Sequence, residues 1–466
     1  MDRIKAQKAR RLDLENASQN PRSFIKSILD DMSFVEMDTF VCQDAAEGDP
    51  HGEGVISGFG RILDNEVCIF CQNIDVFKGG IGKLHAQKIV KCIERASDFD
   101  VPLISIIDTM GARIEEGSDV LESYAEILGA ASRLRVPHIM AVKSASYGMI
   151  SALAGIADFV LMEQDAVMVS TSPKILAASQ TASVKEKVIG GAKVCFQNGL
   201  VDFIGTKDQI AQQIKKLITY IYNDAEAKDD LNRTSSILNK TDDIHTIIKE
   251  VFDKDSFIEC GADCAPNAVC GLALLDGVTV GVIAHNHKVN KYLDPLALKK
   301  IAKYVRVFDG LNIPVINFVN SLGLQADLQA EHSGILDDAA SVISAYANFG
   351  GTLISIIVGE ASGFGYTAFA SNGIGYDYKL AWANADISAL PVESLAVLEK
   401  REELKKSNLT RLEDKDSQEF EKIIQQYRDQ KTDAFFAARK GYIDEIIEPA
   451  LTRSYLIAAL GMTERF

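Results

Sequence analysis

The strongest constraint on this chain is that its sequence repeats. Residues 101–111 and 313–323 follow one plan at an offset of 212 residues: a proline, a short apolar run, small polar residues and a glycine. Such a run is typical of a β-strand that is buried on both faces and leads into a tight turn. The sequence therefore predicts the same strand and turn twice.

The repeat extends to both sides of these strands. The helical stretch 85–96 matches 295–308 at the same offset, and residues 139–148 match 354–363 at an offset of 215. A period of more than 200 residues is too long for a solenoid, so it indicates a duplicated domain. Short buried strands alternate with helices in each half, which predicts α/β architecture.

The boundary between the two halves is marked by a polar, aperiodic stretch at residues 224–230. We therefore expect two domains of the same fold, residues 1–235 and 236–466. The charged segment 399–439 is interpreted as a solvated helix or helix pair that packs on the second domain.

Two helices are indicated by their apolar spacing. Residues 118–135 carry an apolar stripe that predicts a core-facing helix in the first domain. In the second, the stretch 295–308 carries a similar stripe, with Asp294 as the expected N-cap and Pro295 at the first helical position.

Charge and composition exclude several classes of protein. The 466 residues include 49 Lys and Arg against 65 Asp and Glu, so the net charge is −16, which disfavours binding to nucleic acid or to anionic membranes. No apolar segment approaches the roughly 20 residues of a membrane span, and the first residues do not resemble a signal peptide. We expect a cytoplasmic protein without membrane insertion, whose basic first 26 residues form a solvated helix.

The cysteines predict neither disulfides nor a metal site. Most of the eight lie in apolar runs, as reduced core thiols do. Cys68 and Cys71 have CxxC spacing, but their segment reads as a strand, in which an odd offset directs the two thiols to opposite faces.

The ends of the predicted strands are the candidate functional sites. In a strand–turn–helix unit, the glycine turn and the helix N-terminus present backbone N–H groups that can bind a negative charge. Two such turns facing each other would make an oxyanion hole, and each half has two, at residues 108–113 and 144–149 and at 320–324 and 360–365. There is no GxSxG, HExxH or GxxxxGK[ST] motif, so nucleophile, zinc-protease and P-loop chemistry lack support.

The motifs together resemble a known family. They are similar to those of the carboxyltransferase (β) subunits of biotin-dependent acyl-CoA carboxylases, which include propionyl-CoA and acetyl-CoA carboxylase β chains and methylmalonyl-CoA carboxyltransferase. The matching segments cover nearly the whole chain; they are residues 54–61, 77–80, 85–89, 108–117, 190–192, 253–259, 267–281, 306–309, 313–323 and 363–366.

The resemblance implies a fold, an assembly and a reaction. The fold would be two tandem crotonase-like domains, and the assembly a homo-oligomer, usually a hexamer. The active site would lie between the first domain of one subunit, which binds acyl-CoA, and the second domain of its partner, which binds carboxybiotin. The chain carries no Ala-Met-Lys-Met biotinylation site. Biotin would therefore arrive on a separate biotin carboxyl carrier protein, which is charged by a biotin carboxylase.

The resemblance also implies which residues act. Both the thioester oxygen of an acyl-CoA enolate and the ureido oxygen of biotin gain negative charge, and backbone N–H groups would stabilise each. Carried over by position, the acyl-CoA oxyanion hole comprises Ala112, Gly148 and Met149, and the biotin-side hole comprises Gly323, Gly363 and Phe364. Cofactor-binding positions implied in the same turns are Gly111, Arg113 and Gly365.

Some positions depart from the family pattern. Met110, Met149 and Phe364 stand where relatives carry glycine, and residues 320–327 and 390–395 differ from the usual motifs. Bulk at these positions would narrow or reshape the pocket. A Phe can still donate its N–H if its φ is negative, so we expect a negative φ at Phe364 with the ring turned away from the hole.

Alternative functions stay open at this stage. A carboxyltransferase subunit of a sodium-pumping acyl-CoA decarboxylase would use the same residues in the reverse direction. A catalytically silent scaffold of a carboxylase complex is a third reading. A simple hydratase or isomerase is less favoured because it needs one such domain and a placed acid or base, whereas Glu115 and Glu116 read as helix N-terminal charges.

Overall fold

The chain divides into two compact units, Met1–Asp224 and Ala225–Phe466. The structure is a computed structural model that describes residues 2–42, 52–171, 175, 178, 185–225, 229–230, 232–399, 418–428 and 432–463. The boundary expected after residue 235 thus falls inside the second unit. No helix within these described ranges is long and apolar enough to cross a membrane.

The first unit contains an eight-stranded mixed sheet. Its order is β1-β2-β3-β4-β5-β6-β8, with β7 paired to the long strand β5. Strands β1 to β3 pair antiparallel, and the pairs from β3 onward are parallel. The strands are β1 (Val35–Met37), β2 (Val55–Ile62), β3 (Asn65–Gln72), β4 (Leu103–Thr109), β5 (His138–Tyr147), β6 (Phe159–Glu163), β7 (Val167–Val169) and β8 (Phe203–Gly205).

The second unit repeats this sheet strand for strand. Its order is β9-β10-β11-β12-β13-β14-β16, and β15 pairs with β13 as β7 pairs with β5. The antiparallel and parallel pairs also follow the first unit. The strands are β9 (Ile258–Cys260), β10 (Ala268–Leu275), β11 (Val278–His285), β12 (Val315–Ser321), β13 (Leu353–Ser362), β14 (Tyr378–Trp382), β15 (Asp386–Ser388) and β16 (Glu445–Ile447).

Helices connect the parallel strands, as β-α-β crossovers require. In the first unit they are Asp2–Ala17, Gln19–Ile28, Lys83–Phe99, Asp119–Ser132, Glu186–Gly190, Ala192–Gln197 and Lys207–Ile221. In the second unit they are Ile244–Val251, Pro295–Gly310, Leu328–His332, Ile335–Ala347, Phe364–Phe369, Val392–Glu399, Gln418–Tyr427, Ala434–Ala438 and Thr452–Thr463.

Each unit has its own hydrophobic core. Strands β4 and β12 are buried along their whole length, which explains why both read as continuous apolar runs rather than alternating ones. Helices Lys83–Phe99 and Pro295–Gly310 pack their apolar faces into the two cores. The duplicated α/β architecture predicted from the sequence is confirmed.

Several local predictions can be compared with the structure. The N-cap at Asp294 is confirmed, because its carboxylate accepts hydrogen bonds from the N–H groups of Leu296 and Ala297. The helix expected over residues 118–135 is three residues shorter at its end. Cys68 and Cys71 both lie in β3, as predicted. Of the charged segment 399–439, residues 400–417 and 429–431 lie outside the described residues, and the rest includes helices Gln418–Tyr427 and Ala434–Ala438.

Candidate active site

The first of the four turns follows β4. The Thr109 hydroxyl accepts a 3.0 Å hydrogen bond from the N–H of Gly111, which has a φ of +105°. The carbonyl of Gly111 accepts from the N–H of Ile81, whose own carbonyl accepts from Arg113. Ala112 stands between these two bonded residues, and its N–H has no acceptor among the described residues.

The second turn follows β5, the neighbour of β4 in the sheet. Gly148 has a φ of +85°, and its N–H donates to the carbonyl oxygen of Val169 at 2.9 Å. Met149 begins a short 3-10 helix, so its N–H has no partner within the helix. A Cβ on Gly111 would lie 3.3 Å from the Tyr147 carbonyl oxygen. The two turns are therefore in close contact.

The turn after β12 repeats the turn after β4. The Ser321 hydroxyl accepts from the N–H of Gly323 at 3.1 Å, and Gly323 has a φ of +100°. Leu293 donates to the Gly323 carbonyl and accepts from Gln325, both at 2.9 Å. Leu324 lies between them, with an N–H that finds no acceptor in the part of the chain that the structure describes.

The turn after β13 repeats the turn after β5. The N–H of Gly363 donates to the carbonyl oxygen of Ser388 at 3.0 Å, and Gly363 has a φ of +50°. Phe364 is the first residue of the helix Phe364–Phe369, so its N–H is likewise unpaired within that helix. A Cβ on Gly323 would lie 3.6 Å from the Phe364 nitrogen, which places this N–H beside the other turn.

These hydrogen bonds correct part of the donor assignment made from the sequence. The N–H groups of Gly148, Gly323 and Gly363 are already hydrogen-bonded inside their turns, so they build the turns and are not open donors. Sequence comparison missed Leu324, although the offset of 212 from Ala112 points to it. Within the described residues, the open N–H groups at the four strand ends are those of Ala112, Met149, Leu324 and Phe364.

The backbone of Phe364 has the conformation expected from the sequence. It is helical, and Phe364 is absent from the non-glycine residues with positive φ, so the prediction of a negative φ is confirmed. Its ring is half-buried and packs edge-to-face on Phe369, with ring centroids 6.0 Å apart. The bulky side chain thus packs on its own helix while the N–H stays open.

The three expected cofactor contacts have structural roles here. The buried guanidinium of Arg113 donates to the Glu53 carboxylate at 2.7 Å and to the Gly80 carbonyl at 3.0 Å, which anchors the loop before helix Lys83–Phe99. A Cβ on Gly365 would lie 2.8 Å from the Ser321 carbonyl oxygen, so this glycine permits close packing of helix on strand. Gly111 supplies the positive φ of its turn.

A chain of buried polar groups supports the first turn from behind. Asp108, at the end of β4, is paired with Lys143 at 3.3 Å, and its N–H donates to the Gln72 side chain at 3.0 Å. The amide of Gln72 contacts His85 Nε2 at 3.0 Å, and His85 Nδ1 lies 2.7 Å from the Glu53 carbonyl oxygen. Burial lowers the pKa of His85 to about 3, so its ring is neutral. This network, which the sequence did not reveal, fixes the turn.

A pocket of about 440 Å³ opens beside Ala112 in the first unit. The Tyr147 hydroxyl donates to Glu186 at 3.0 Å, and burial, with Glu186 as a second cause, raises the pKa of Tyr147 to about 12. The lining contains no histidine or cysteine, which suits charge stabilisation by N–H groups rather than nucleophilic attack. The lining residues are Phe77, Lys78, Gly80, Met110, Gly111, Ala112, Arg113, Glu115, Tyr147 and Glu186.

Two α/β units of one topology, each with a pair of open backbone N–H groups at neighbouring strand ends, define a tandem crotonase-like protein. The family model described as "Carboxyl transferase domain" matches residues 14–465. The chain belongs to this family, and it is a carboxyltransferase of the biotin-dependent acyl-CoA carboxylase type. The resemblance noted from the sequence is thereby confirmed.

Individual relatives agree with this assignment. The chain is 30% identical to the propionyl-CoA carboxylase carboxyltransferase subunit of Haloferax mediterranei, over 96% of this chain and 91% of that protein. It is 28% identical to the methylmalonyl-CoA carboxyltransferase 12S subunit of Propionibacterium freudenreichii, over 95% of this chain and 88% of that protein. The solved transcarboxylase 12S hexamer, with methylmalonyl-CoA bound, matches with a TM-score of 0.87 and 26% identity, over 98% of this chain and 92% of that chain.

Proposed function

We propose that this chain transfers a carboxyl group between carboxybiotin on a separate carrier protein and the α-carbon of a short acyl-CoA, such as acetyl-CoA or propionyl-CoA. The names of its relatives support this substrate class. We assign the acyl-CoA to the first domain and biotin to the second.

The first domain would stabilise the enolate of the acyl-CoA. Loss of an α-proton moves negative charge onto the thioester oxygen, and the N–H groups of Ala112 and Met149 would donate to it. Each such donor stabilises a developing oxyanion by about 3 kcal/mol. These donors are preorganised, because the hydrogen bond from Gly148 to Val169 and the one from Gly111 to Thr109 hold the two turns in place.

The second domain has a donor pair that fits biotin. The ureido oxygen of biotin is an acceptor, and the N–H groups of Leu324 and Phe364 lack acceptors within the described part of the chain. When bound, carboxybiotin supplies an activated carboxyl group. The two N–H groups would hold the ureido oxygen and stabilise the negative charge that it gains during transfer.

The observation that carries this proposal is that the chain builds one donor pair twice. In both units a hydroxyl and a carbonyl bind the two glycine N–H groups, and the next residue in each turn is left open. Carboxyl transfer needs two oxygens stabilised in separate steps, one on each substrate. A single-substrate hydratase or isomerase would need only one such pair.

The direct test is biotin-dependent decarboxylation. Purified protein is incubated with malonyl-CoA or methylmalonyl-CoA and free biotin, and formation of acetyl-CoA or propionyl-CoA is followed by chromatography. We expect turnover that depends on biotin. No turnover with either thioester, from protein that still retains a biotinylated carrier protein and a biotin carboxylase on purification, would favour the silent scaffold instead.

We also propose a hexameric assembly, in which the first domain of one subunit meets the second domain of its partner. The related 12S protein is described as a hexamer. The chain has a mass of 50.8 kDa, so light scattering should give about 305 kDa, six times this value. A monomer at micromolar concentration would contradict the shared active site.

A further inference from the structure

Lys78 stands at the pocket of the first unit without a charge partner. It lines the pocket together with Ala112, and its side chain is exposed. The pocket's other cation, Arg113, is neutralised by Glu53 and Glu116 at 2.7 and 3.4 Å. The structure shows no ion pair or hydrogen bond for the Lys78 ammonium within the described residues, so this cation is available to a ligand.

The backbone holds Lys78 at this place. Its carbonyl accepts a 3.0 Å hydrogen bond from the N–H of Met110, the residue before Gly111. Phe77, Lys78 and Gly79 have consecutive positive φ values of 50°, 54° and 63°, a conformation that is costly for the two non-glycine residues. A Cβ on Gly79 would lie only 2.1 Å from the Asp108 carbonyl oxygen. The loop is therefore pressed against the end of β4, and Lys78 is fixed relative to the donor turn.

The second unit places a lysine in the same way. The carbonyl of Lys291 accepts a 2.8 Å hydrogen bond from the N–H of Leu322, the residue before Gly323. Lys291 is exposed, and its charge acts on Glu360 near the end of β13. Each donor pair thus has one lysine tied by its carbonyl to the donor turn.

Building on the proposed function, we propose that Lys78 is a specificity-determining residue that binds the carboxylate being transferred. This group is an anion on the malonyl-type thioester and is absent from the acyl-CoA. An ammonium beside the open N–H groups of Ala112 and Met149 would bind the carboxylated thioester more tightly and hold its carboxylate near the α-carbon. A carboxylate–ammonium hydrogen bond is among the stronger contacts in proteins.

The test compares two thioesters that differ only in this group. Equilibrium binding of methylmalonyl-CoA and propionyl-CoA is measured for the wild-type protein, Lys78→Gln and Lys78→Arg. We expect Lys78→Gln to bind methylmalonyl-CoA about tenfold more weakly, the size of one charge-assisted hydrogen bond, with propionyl-CoA affinity unchanged. Lys78→Arg should retain most of the affinity.

Lys83→Gln is the matched control. Lys83 lies five residues further along, is similarly exposed and is paired with Asp119 at 3.8 Å, so its removal makes the same change in net charge. We expect no change in affinity for either thioester. Equal losses for Lys83→Gln and Lys78→Gln would show a general charge effect and overturn the assignment.

The other outcomes are also decisive. If Lys78→Gln weakens methylmalonyl-CoA, propionyl-CoA and free CoA equally, the ammonium contacts the CoA portion and the inference is wrong. Unchanged affinity for all three would also overturn it, while the proposed function would stand on the wild-type data. Wild-type protein that binds neither thioester would instead remove the proposed function itself, and this inference with it.

Discussion

The N–H of Gly148 donates a 2.9 Å hydrogen bond to the carbonyl oxygen of Val169, the last residue of β7. This bond pins the turn from which Met149 enters its helix, so the glycine holds the geometry and its neighbour is left to donate. A proline at Met149 would remove the N–H at a first helical position, where proline is tolerated.

We therefore predict that Met149→Pro lowers kcat for biotin-dependent decarboxylation by about 100-fold or more in a folded protein, because one oxyanion donor is lost. Gly148 precedes it with an extended ψ of −158°, which suits a following proline. Met149→Ala keeps the N–H and should stay within tenfold of wild type. A Met149→Pro protein with normal kcat would show that this N–H does not contact the reacting oxygen.

Phe364→Pro makes the same change in the second unit. We expect a loss of about 100-fold in biotin-dependent turnover, with the affinity for propionyl-CoA preserved. The matched control is Phe364→Ala, which loses the same ring contact with Phe369 but retains the N–H. Equal losses in the two variants would mean that packing of the ring, and not the N–H, supports the reaction.

Arg113→Met should destabilise the first unit by about 3–5 kcal/mol, because it removes the cation from a buried ion pair in which both side chains are at most 4% exposed. Chemical denaturation followed by circular dichroism measures this change. The control is Arg11→Met, which breaks an exposed pair with Glu15 and should cost at most about 0.5 kcal/mol. Similar midpoints for the two variants would contradict the anchoring role of Arg113.

The buried His85 makes stability depend on pH. Its pKa is lowered from 6.5 to about 3, mainly by burial, so the unfolded chain binds one more proton at this site between these values. Stability should therefore fall as the pH falls from 6.5 towards 3. In His85→Gln, denaturation curves between pH 4 and 6.5 should show a dependence smaller by up to one proton. An unchanged slope would contradict a buried neutral ring.

The strands and turns could be predicted because their signals are local. The buried runs that became β4 and β12, and the glycines that follow them, are adjacent in the sequence. The capping carboxylate of Asp294 acts on N–H groups two and three residues away. Local patterns of this kind set secondary structure and the positions of the turns.

The identity of the open donors could not be predicted, because it depends on distant partners. Whether the N–H of Gly148 or that of Met149 is open is decided by Val169, and the matching choice at Gly363 is decided by Ser388. The guanidinium of Arg113 is taken up by Glu53, 60 residues away. Such pairings follow from tertiary packing, which no motif records.

The four donors are backbone groups, and this affects how such an enzyme can evolve after gene duplication. Ala112 in one unit corresponds to Leu324 in the other, and Met149 corresponds to Phe364, yet each position presents its N–H in the same way. Mutation can therefore vary the side chains that surround the reaction while the reacting contacts are inherited unchanged. The two halves are free to diverge towards different ligands without either losing its chemistry on the way.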